Sequence, residues 1–124
     1  MSHILVVDDD PANRDILRAR LEKAGHDVTE AANGEEGIQR SAALMPDLVI
    51  LDVMMPKVDG LQVCREIKDN PKTKNIPIVM LTASGQQIDK LRGWESGADE
   101  YMSKPWDAAE LLQVIEKWCP KKTS

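Results

Sequence analysis

The sequence predicts an α/β fold in which a parallel five-stranded sheet is covered by helices on both faces. Two observations carry this prediction. Five strand-like segments alternate with five helical segments along 124 residues, and strict alternation implies right-handed crossovers that place helices on both sides of a parallel sheet. The first, third and fourth strand-like segments are also continuously apolar, as strands buried on both faces are.

The five strands are predicted from short apolar runs that are bounded by helical segments and turns. They cover residues 4–7, 28–31, 48–51, 78–81 and 101–102. Runs of this length are typical of strands rather than of helices.

The helices are predicted from capping residues and from apolar spacing. Asp10 is the N-cap of the first helix, Pro11 takes its first position and Gly25 ends it. Asn33 opens a second helix that runs to about residue 44, and Pro46 stops it because proline lacks the amide that a helix interior needs. Apolar faces predict three further helices, over residues 60–69, 86–96 and 107–118.

Composition and charge narrow the class of protein. With 42% hydrophobic residues the chain is large enough for one compact domain, predicted over residues 1–120 with a short tail at 121–124. A net charge of -5 and the lack of a basic stripe argue against direct nucleic-acid binding. Cys64 and Cys119 form no C-x-x-C motif and no signal-like segment opens the chain, which favours a reduced, cytoplasmic setting. No apolar run approaches the roughly 20 residues that span a bilayer, so no membrane association is expected.

Four of the predicted strands end in polar residues of the kinds that bind phosphate or magnesium. Asp8 and Asp9 follow the first strand, Asp52 the third, Thr82 the fourth and Lys104 the fifth. In open α/β sheets ligands bind in the crevice beyond the carboxyl ends of the strands, so these groups are expected to share one pocket. Clustered carboxylates repel one another, and either proton uptake or a bound cation relieves that repulsion. An oxygen-rich ligand set of this kind suits Mg²⁺.

Each of these residues also has a purely structural interpretation. Acids at positions 8–10 cap helix amides and favour the helix dipole. Lys104 is expected to hold a phosphoryl oxygen, and its structural interpretation is a simple salt bridge with Asp52; the two contacts can also form in turn. Thr82 either bonds a phosphoryl oxygen or only ends a strand.

Taken together, the motifs resemble the receiver domain of bacterial two-component response regulators over nearly the whole chain. The matching segments are ILVVDDD at 4–10, PDLVILDVMMPKVDG at 46–60, IPIVMLTA at 76–83 and GADEYMSKPW at 97–106. The resemblance implies a flavodoxin-like, doubly wound (βα)5 fold with strand order 2-1-3-4-5.

The resemblance also implies roles for the acidic residues. Asp52 is the phospho-acceptor. Asp8 and Asp9 hold Mg²⁺ together with Asp52, and the backbone carbonyl of Met54 completes the metal site. Positioning and charge neutralisation are what phosphoryl transfer mainly requires, which agrees with this assignment.

Further roles follow from the same resemblance. Thr82 and Lys104 contact the incoming phosphoryl group, and Thr82 and Tyr101 act as the switch pair. Tyr101 is alternatively an ordinary half-buried strand tyrosine. The implied donor is a histidine kinase or a histidine phosphotransfer protein, and the implied output is contact with a downstream protein effector. The contact surface is the face built from the fourth predicted helix, the fifth strand and the fifth predicted helix.

Three other functions fit these residues less well. A dehalogenase-like phosphatase also uses an aspartate after a strand, but it usually carries a second acid two residues further on, where this chain has Met54. A binding module that is never phosphorylated gives no reason for the acids to accompany Thr82 and Lys104. Nucleotide binding lacks a Gly-x-Gly-x-x-Gly motif or a P-loop. The domain is expected to be a signalling module with only weak self-phosphorylation and autodephosphorylation, rather than an enzyme.

Two organisations of the protein remain open. The domain is either a free-standing regulator or a receiver taken from a larger protein. The stretches VCREIK and LRGWESGADEYMSKPW are similar to receivers that precede cyclic-dinucleotide synthases. The sequence leaves the oligomeric state undefined.

Overall fold

The computed structural model describes residues 2–52, 60–82, 97–103 and 107–119. Its elements in chain order are β1 (His3–Val7), α1 (Pro11–Lys23), β2 (Asp27–Ala31), α2 (Gly34–Leu44), β3 (Leu48–Asp52), α3 (Gly60–Asp69), β4 (Ile78–Thr82), β5 (Glu100–Ser103) and α4 (Ala108–Trp118). The predicted helix over residues 86–96 lies outside the described residues. The strands form one parallel sheet in the order β2-β1-β3-β4-β5, which confirms the predicted fold class and strand order.

Side chains of the sheet alternate between two apolar layers. Odd-numbered residues of β1 and β3 face a cluster that includes residues of α3, whereas their even-numbered residues face a cluster that includes residues of α1 and α4. All five residues of β3 and of β4 are buried. Helices therefore cover both faces of the sheet, as continuous apolar strands require.

The predicted helix caps are formed as expected. The Asp10 side chain accepts a hydrogen bond from the amide of Ala12 at 3.0 Å, and the Asn33 side chain accepts one from the amide of Glu36 at 2.9 Å. Gly25 follows the C-cap of α1 with a φ of 94°, a conformation that glycine adopts without steric cost. These side chains set where α1 and α2 begin, and so they fix the path of the chain out of β1 and β2.

Two local features were not predicted. Met45 ends α2 in the left-handed conformation, with a φ of 49°, although left-handed helix ends are usually glycine. Ile16 of α1 is 52% exposed, while Leu17 and Leu21 are the residues of that helix that enter the core.

An ion pair joins the end of α3 to the beginnings of the last two strands. The Lys68 ammonium contacts an Asp99 carboxylate oxygen at 2.7 Å and also donates to the carbonyl of Ile76 at 2.9 Å. The same Asp99 oxygen accepts a hydrogen bond from the amide of Ile78 at 2.8 Å. These contacts hold β4 and the segment before β5 in place at the edge of the sheet opposite the strand carboxyl ends.

Both cysteines, Cys64 and Cys119, are buried and free. Burial raises the pKa of Cys64 to about 12 and that of Cys119 to about 11. Both thiols are therefore protonated at neutral pH and poor nucleophiles. None of the helices in the described ranges has the length and apolar character needed to cross a bilayer.

Gly37 allows α2 to pack closely on β1, and its replacement is expected to be costly. A Cβ atom at Gly37 would lie 2.9 Å from both methyl carbons of Val7, which is fully buried. Overpacking costs about 1–3 kcal/mol, whereas a helical Gly→Ala change gains up to about 1 kcal/mol in propensity. With the full propensity gain subtracted, we expect Gly37→Ala to lower the free energy of unfolding by up to about 2 kcal/mol, measured by urea denaturation.

A double-mutant cycle with Val7→Ala identifies the cause of this loss. Removing the two methyl groups of Val7 opens the space that the new Cβ needs, so Gly37→Ala should cost nothing in that background. An equal loss with and without the Val7 methyl groups would contradict the close-packing explanation.

Candidate functional site

The register of the sheet brings Asp8 and Asp52 side by side. The last paired residues of β1 and β3 are Val7 and Leu51. The next position holds Asp8 just after β1 and Asp52 at the end of β3. Directly opposed residues of neighbouring strands project to the same face of a sheet. The two carboxylates therefore meet at the carboxyl-end edge of the sheet, because Asp8 directly follows β1 and Asp52 is the last residue of β3.

Asp9 completes a cluster of three carboxylates. One ligand atom from each of Asp8, Asp9 and Asp52 lies within 4.8 Å of the other two. Asp8 is 1% exposed and Asp52 is 4% exposed, whereas Asp9 is open to solvent. Carboxylate oxygens are the donors that Mg²⁺ prefers, and an exposed member leaves room for the waters that this ion retains. The donor set fits Mg²⁺.

The backbone of Asp8 is held from both sides. Its amide donates to the carbonyl of Ala31 in β2 at 3.1 Å, and its carbonyl accepts a hydrogen bond from the Arg14 guanidinium at 2.7 Å. Its carboxylate oxygen Oδ1 accepts a hydrogen bond from the Asp10 amide at 2.9 Å. The site is thus connected to β2 and to the first turns of α1.

The structure reveals a charged network next to the acids that the sequence analysis missed. Arg14 and Arg18 both pair with Glu30 of β2, with nitrogen to oxygen distances of 3.1 and 2.7 Å, and Arg18 also pairs with Glu22 at 3.2 Å. One sequence signal points to it, because Glu30 is a charged residue within a strand, one position from its carboxyl end. Arginines at positions 14 and 18 also share one side of α1, since residues four apart are neighbours on a helix.

Thr82 and Tyr101 lie close to one another on the sheet. Thr82 ends β4 and is fully buried, and its hydroxyl donates to the carbonyl of Met102 in β5 at 3.3 Å. Tyr101 is half-buried in β5 opposite Met80, the residue two positions before Thr82 on the same face of β4. Tyr101 packs against the apolar cluster that contains Met80. The two side chains thus occupy one face of neighbouring strands.

Two predicted site residues lie outside the described residues. They are Lys104 and Met54. The structure therefore brings together Asp8, Asp9 and Asp52, and it places Thr82 and Tyr101 on the adjoining strands. The roles of all seven residues stay predictions.

A family model supports the likeness drawn from the sequence motifs. Residues 4–116 match the model described as the response regulator receiver domain. Among curated proteins, the chain is 48% identical over 115 residues to the DNA-binding dual master transcriptional regulator RpaA of Synechocystis. That match covers 93% of this chain and 48% of RpaA, so the chain spans about half the length of this relative.

Solved structures agree with the same fold. A putative response regulator from Chloroflexus aurantiacus matches with a TM-score of 0.89 and 38% identity, covering 97% of this chain and 98% of the other. The response regulator TrrA from Thermotoga maritima, solved in complex with Mg²⁺-BeF, matches with a TM-score of 0.85 and 39% identity, covering 95% of this chain and 99% of the other.

Proposed function

The chain belongs to the response regulator receiver domain family, and from this membership we propose that it accepts a phosphoryl group on Asp52 from a histidine kinase or a histidine phosphotransfer protein. The single observation that carries the proposal is the meeting of Asp8, Asp9 and Asp52 within 4.8 Å at the strand ends. Receiver domains are signalling domains rather than dedicated enzymes. The proposed activity is accordingly limited to promoting the domain's own phosphorylation and slow dephosphorylation.

Asp8, Asp9 and Asp52 are proposed to hold Mg²⁺, together with the backbone carbonyl of Met54. The receiver TrrA was solved with Mg²⁺-BeF, and the receiver domain of the Pseudomonas aeruginosa kinase PA1611 has a magnesium ion in its active site cleft. When bound, Mg²⁺ supplies positive charge that offsets both the carboxylates and the incoming phosphoryl oxygens.

The protein's own nucleophile is a carboxylate oxygen of Asp52. This oxygen forms a bond to phosphorus while the bond from phosphorus to the donor's imidazole nitrogen breaks, which yields an acyl phosphate. Asp52 is 4% exposed at the end of a buried strand, so its position is fixed by the sheet and the approach to it is restricted. We propose that the Thr82 hydroxyl and the Lys104 ammonium contact the phosphoryl oxygens.

The geometry of Thr82 supports a role in signal output. Its hydroxyl bonds the Met102 carbonyl, so a move toward a phosphoryl oxygen on Asp52 would break a contact with β5. Tyr101 lies on the same face of the neighbouring strand and is proposed to move inward as Thr82 leaves. Phosphorylation then biases an exchange between two states by its differential affinity for them.

The proposed output surface is the face built from the predicted helix over residues 86–96, β5 and α4. At the start of β5, Glu100 accepts a hydrogen bond from the Trp118 indole at 3.1 Å and pairs with Lys117 at 3.0 Å. These contacts tie β5 to α4 one residue from Tyr101, which supports this face as the one that a downstream protein effector reads.

The proposal is tested by phosphorylating the protein chemically. Purified protein is incubated with phosphoramidate and Mg²⁺, and the modified residue is located by mass spectrometry. We expect one phosphoryl group per chain, on the peptide that contains Asp52, and no incorporation when the metal is chelated. Modification elsewhere, or rapid turnover of an added phosphate ester, would contradict the proposal and favour an aspartyl phosphatase.

A further inference from the structure

We propose that Arg14 is a positioning residue of the acidic site, one that orients the peptide between Asp8 and Asp9 so that both carboxylates face a divalent cation. The inference rests on the proposed function, since it concerns the metal that this site would hold. Arg14 does not contact the cation in this proposal. It acts through the backbone carbonyl of Asp8.

The contacts of Arg14 match such a role. One terminal nitrogen donates to the Asp8 carbonyl at 2.7 Å, while Nε pairs with Glu30 at 3.1 Å. The Arg14 side chain is only 16% exposed, and that of Glu30 only 23%. A guanidinium is a planar fork whose donors hold fixed directions, so the two contacts together define where the Asp8 carbonyl lies.

Asp9 is the residue that depends most on this carbonyl. The Asp8 carbonyl belongs to the peptide that leads into Asp9, and the orientation of a planar peptide sets the direction in which the next residue leaves. Asp9 is exposed, so its position is not set by burial in the core as the position of Asp52 is. Outer groups that orient metal ligands typically contribute about 10–100-fold in metal affinity.

Positioning and simple electrostatics predict opposite changes in Mg²⁺ affinity for Arg14→Met, and the same direction of change for Glu30→Gln. Arg14→Met removes a positive charge near the metal, and Glu30→Gln removes a negative one. If charge alone mattered, Mg²⁺ would bind more tightly to Arg14→Met and more weakly to Glu30→Gln. Arg14→Met removes the hydrogen bond to the Asp8 carbonyl, and Glu30→Gln weakens the ion pair that orients the Arg14 guanidinium. Positioning therefore predicts weaker binding in both variants.

Arg18→Met is the matched control. Arg18 pairs with Glu30 at 2.7 Å and carries the same charge as Arg14, but its hydrogen bonds go to Glu30 and Glu22 and not to Asp8. Its loss therefore reproduces the change in charge and in pairing without releasing the carbonyl.

The experiment measures Mg²⁺ binding to the unphosphorylated full chain by isothermal titration calorimetry. We expect about tenfold weaker binding in Arg14→Met, weaker binding in Glu30→Gln, and affinity close to that of the unmodified protein in Arg18→Met. Phosphorylation by phosphoramidate gives a second readout. In Arg14→Met the Mg²⁺ concentration for half-maximal rate should rise by a similar factor, while the rate at saturating Mg²⁺ stays near that of the unmodified protein.

The outcomes separate this inference from the proposed function. Tighter or unchanged Mg²⁺ binding in Arg14→Met, with the unmodified protein still phosphorylated on Asp52, overturns the inference alone. Absence of both Mg²⁺ binding and phosphorylation in the unmodified protein overturns both proposals. Urea unfolding establishes that each variant is folded, and Arg14→Gln replaces Arg14→Met, with the same expected result, should the methionine variant not fold.

Discussion

Replacement of Asp52 by asparagine is expected to abolish phosphoryl incorporation. The substitution keeps the shape of the side chain but removes the carboxylate oxygen that we propose as the nucleophile, and an amide is a poor nucleophile. Asp52 is the last residue of β3 and is 4% exposed. The sheet therefore holds its carboxylate at the strand end. The measurement is phosphoryl incorporation from phosphoramidate in the presence of Mg²⁺, followed by mass spectrometry of the intact chain.

Asp47→Asn provides a control at the opposite end of the same strand. Asp47 precedes β3, is exposed, and accepts a hydrogen bond from the amide of His3 at 2.8 Å, a contact that an asparagine oxygen preserves. We expect this variant to incorporate phosphate like the unmodified protein. Incorporation into Asp52→Asn at the unmodified rate would show that another residue is the acceptor.

Replacement of Asp9 by asparagine is expected to remove the stabilisation that Mg²⁺ gives to the folded protein. A ligand that binds only the folded state adds about 2.7 kcal/mol to the free energy of unfolding at one hundred times its dissociation constant. Asp9 supplies one of the three carboxylates of the cluster, and a neutral amide there weakens the site. Urea denaturation with and without Mg²⁺ should show this increment in the unmodified protein and little of it in Asp9→Asn.

The stability measured without metal tests whether the carboxylate cluster is responsible for the Mg²⁺ increment. Without metal, the Asp9→Asn protein should be at least as stable as the unmodified one, because one source of like-charge repulsion is gone. Asp10→Asn is the matched control, since Asp10 caps α1 through Ala12 and asparagine caps equally well. A full Mg²⁺ increment in Asp9→Asn, or its loss in Asp10→Asn, would place the metal elsewhere.

The sheet and its strand ends were predictable because they depend on local patterns. Continuous apolar runs specified β1, β3 and β4, and alternation with helices specified parallel pairing. Helix ends were predictable from capping residues, which are Asp10 and Asn33 at helix starts and Gly25 at a helix end. The proximity of Asp8 and Asp52 was predictable as well, because both residues lie at the carboxyl ends of strands in one parallel sheet.

Other features depend on contacts between distant residues and were not predictable. The pairing of Arg14 with Glu30 joins α1 to β2 across 16 positions, and nothing at either residue alone specifies a partner. Ile16 and Leu17 are both apolar neighbours on α1, and only the crossing of the helix over the sheet decides that Leu17 is buried. The left-handed backbone of Met45 could not be predicted, because methionine disfavours that conformation.

The position of β2 in the strand order has a consequence for the protein at high concentration. An edge strand carries unpaired backbone groups on its outer side, and such groups invite pairing with another chain. In β2, the Ala31 carbonyl accepts a hydrogen bond from the amide of Asp8, which follows β1. The carbonyl of the preceding residue, Glu30, accepts a hydrogen bond from the Arg40 side chain. Charged side chains at Asp27 and Glu30 add to this protection. These features partly cover the β2 edge of the sheet and should disfavour intermolecular β-pairing along that strand.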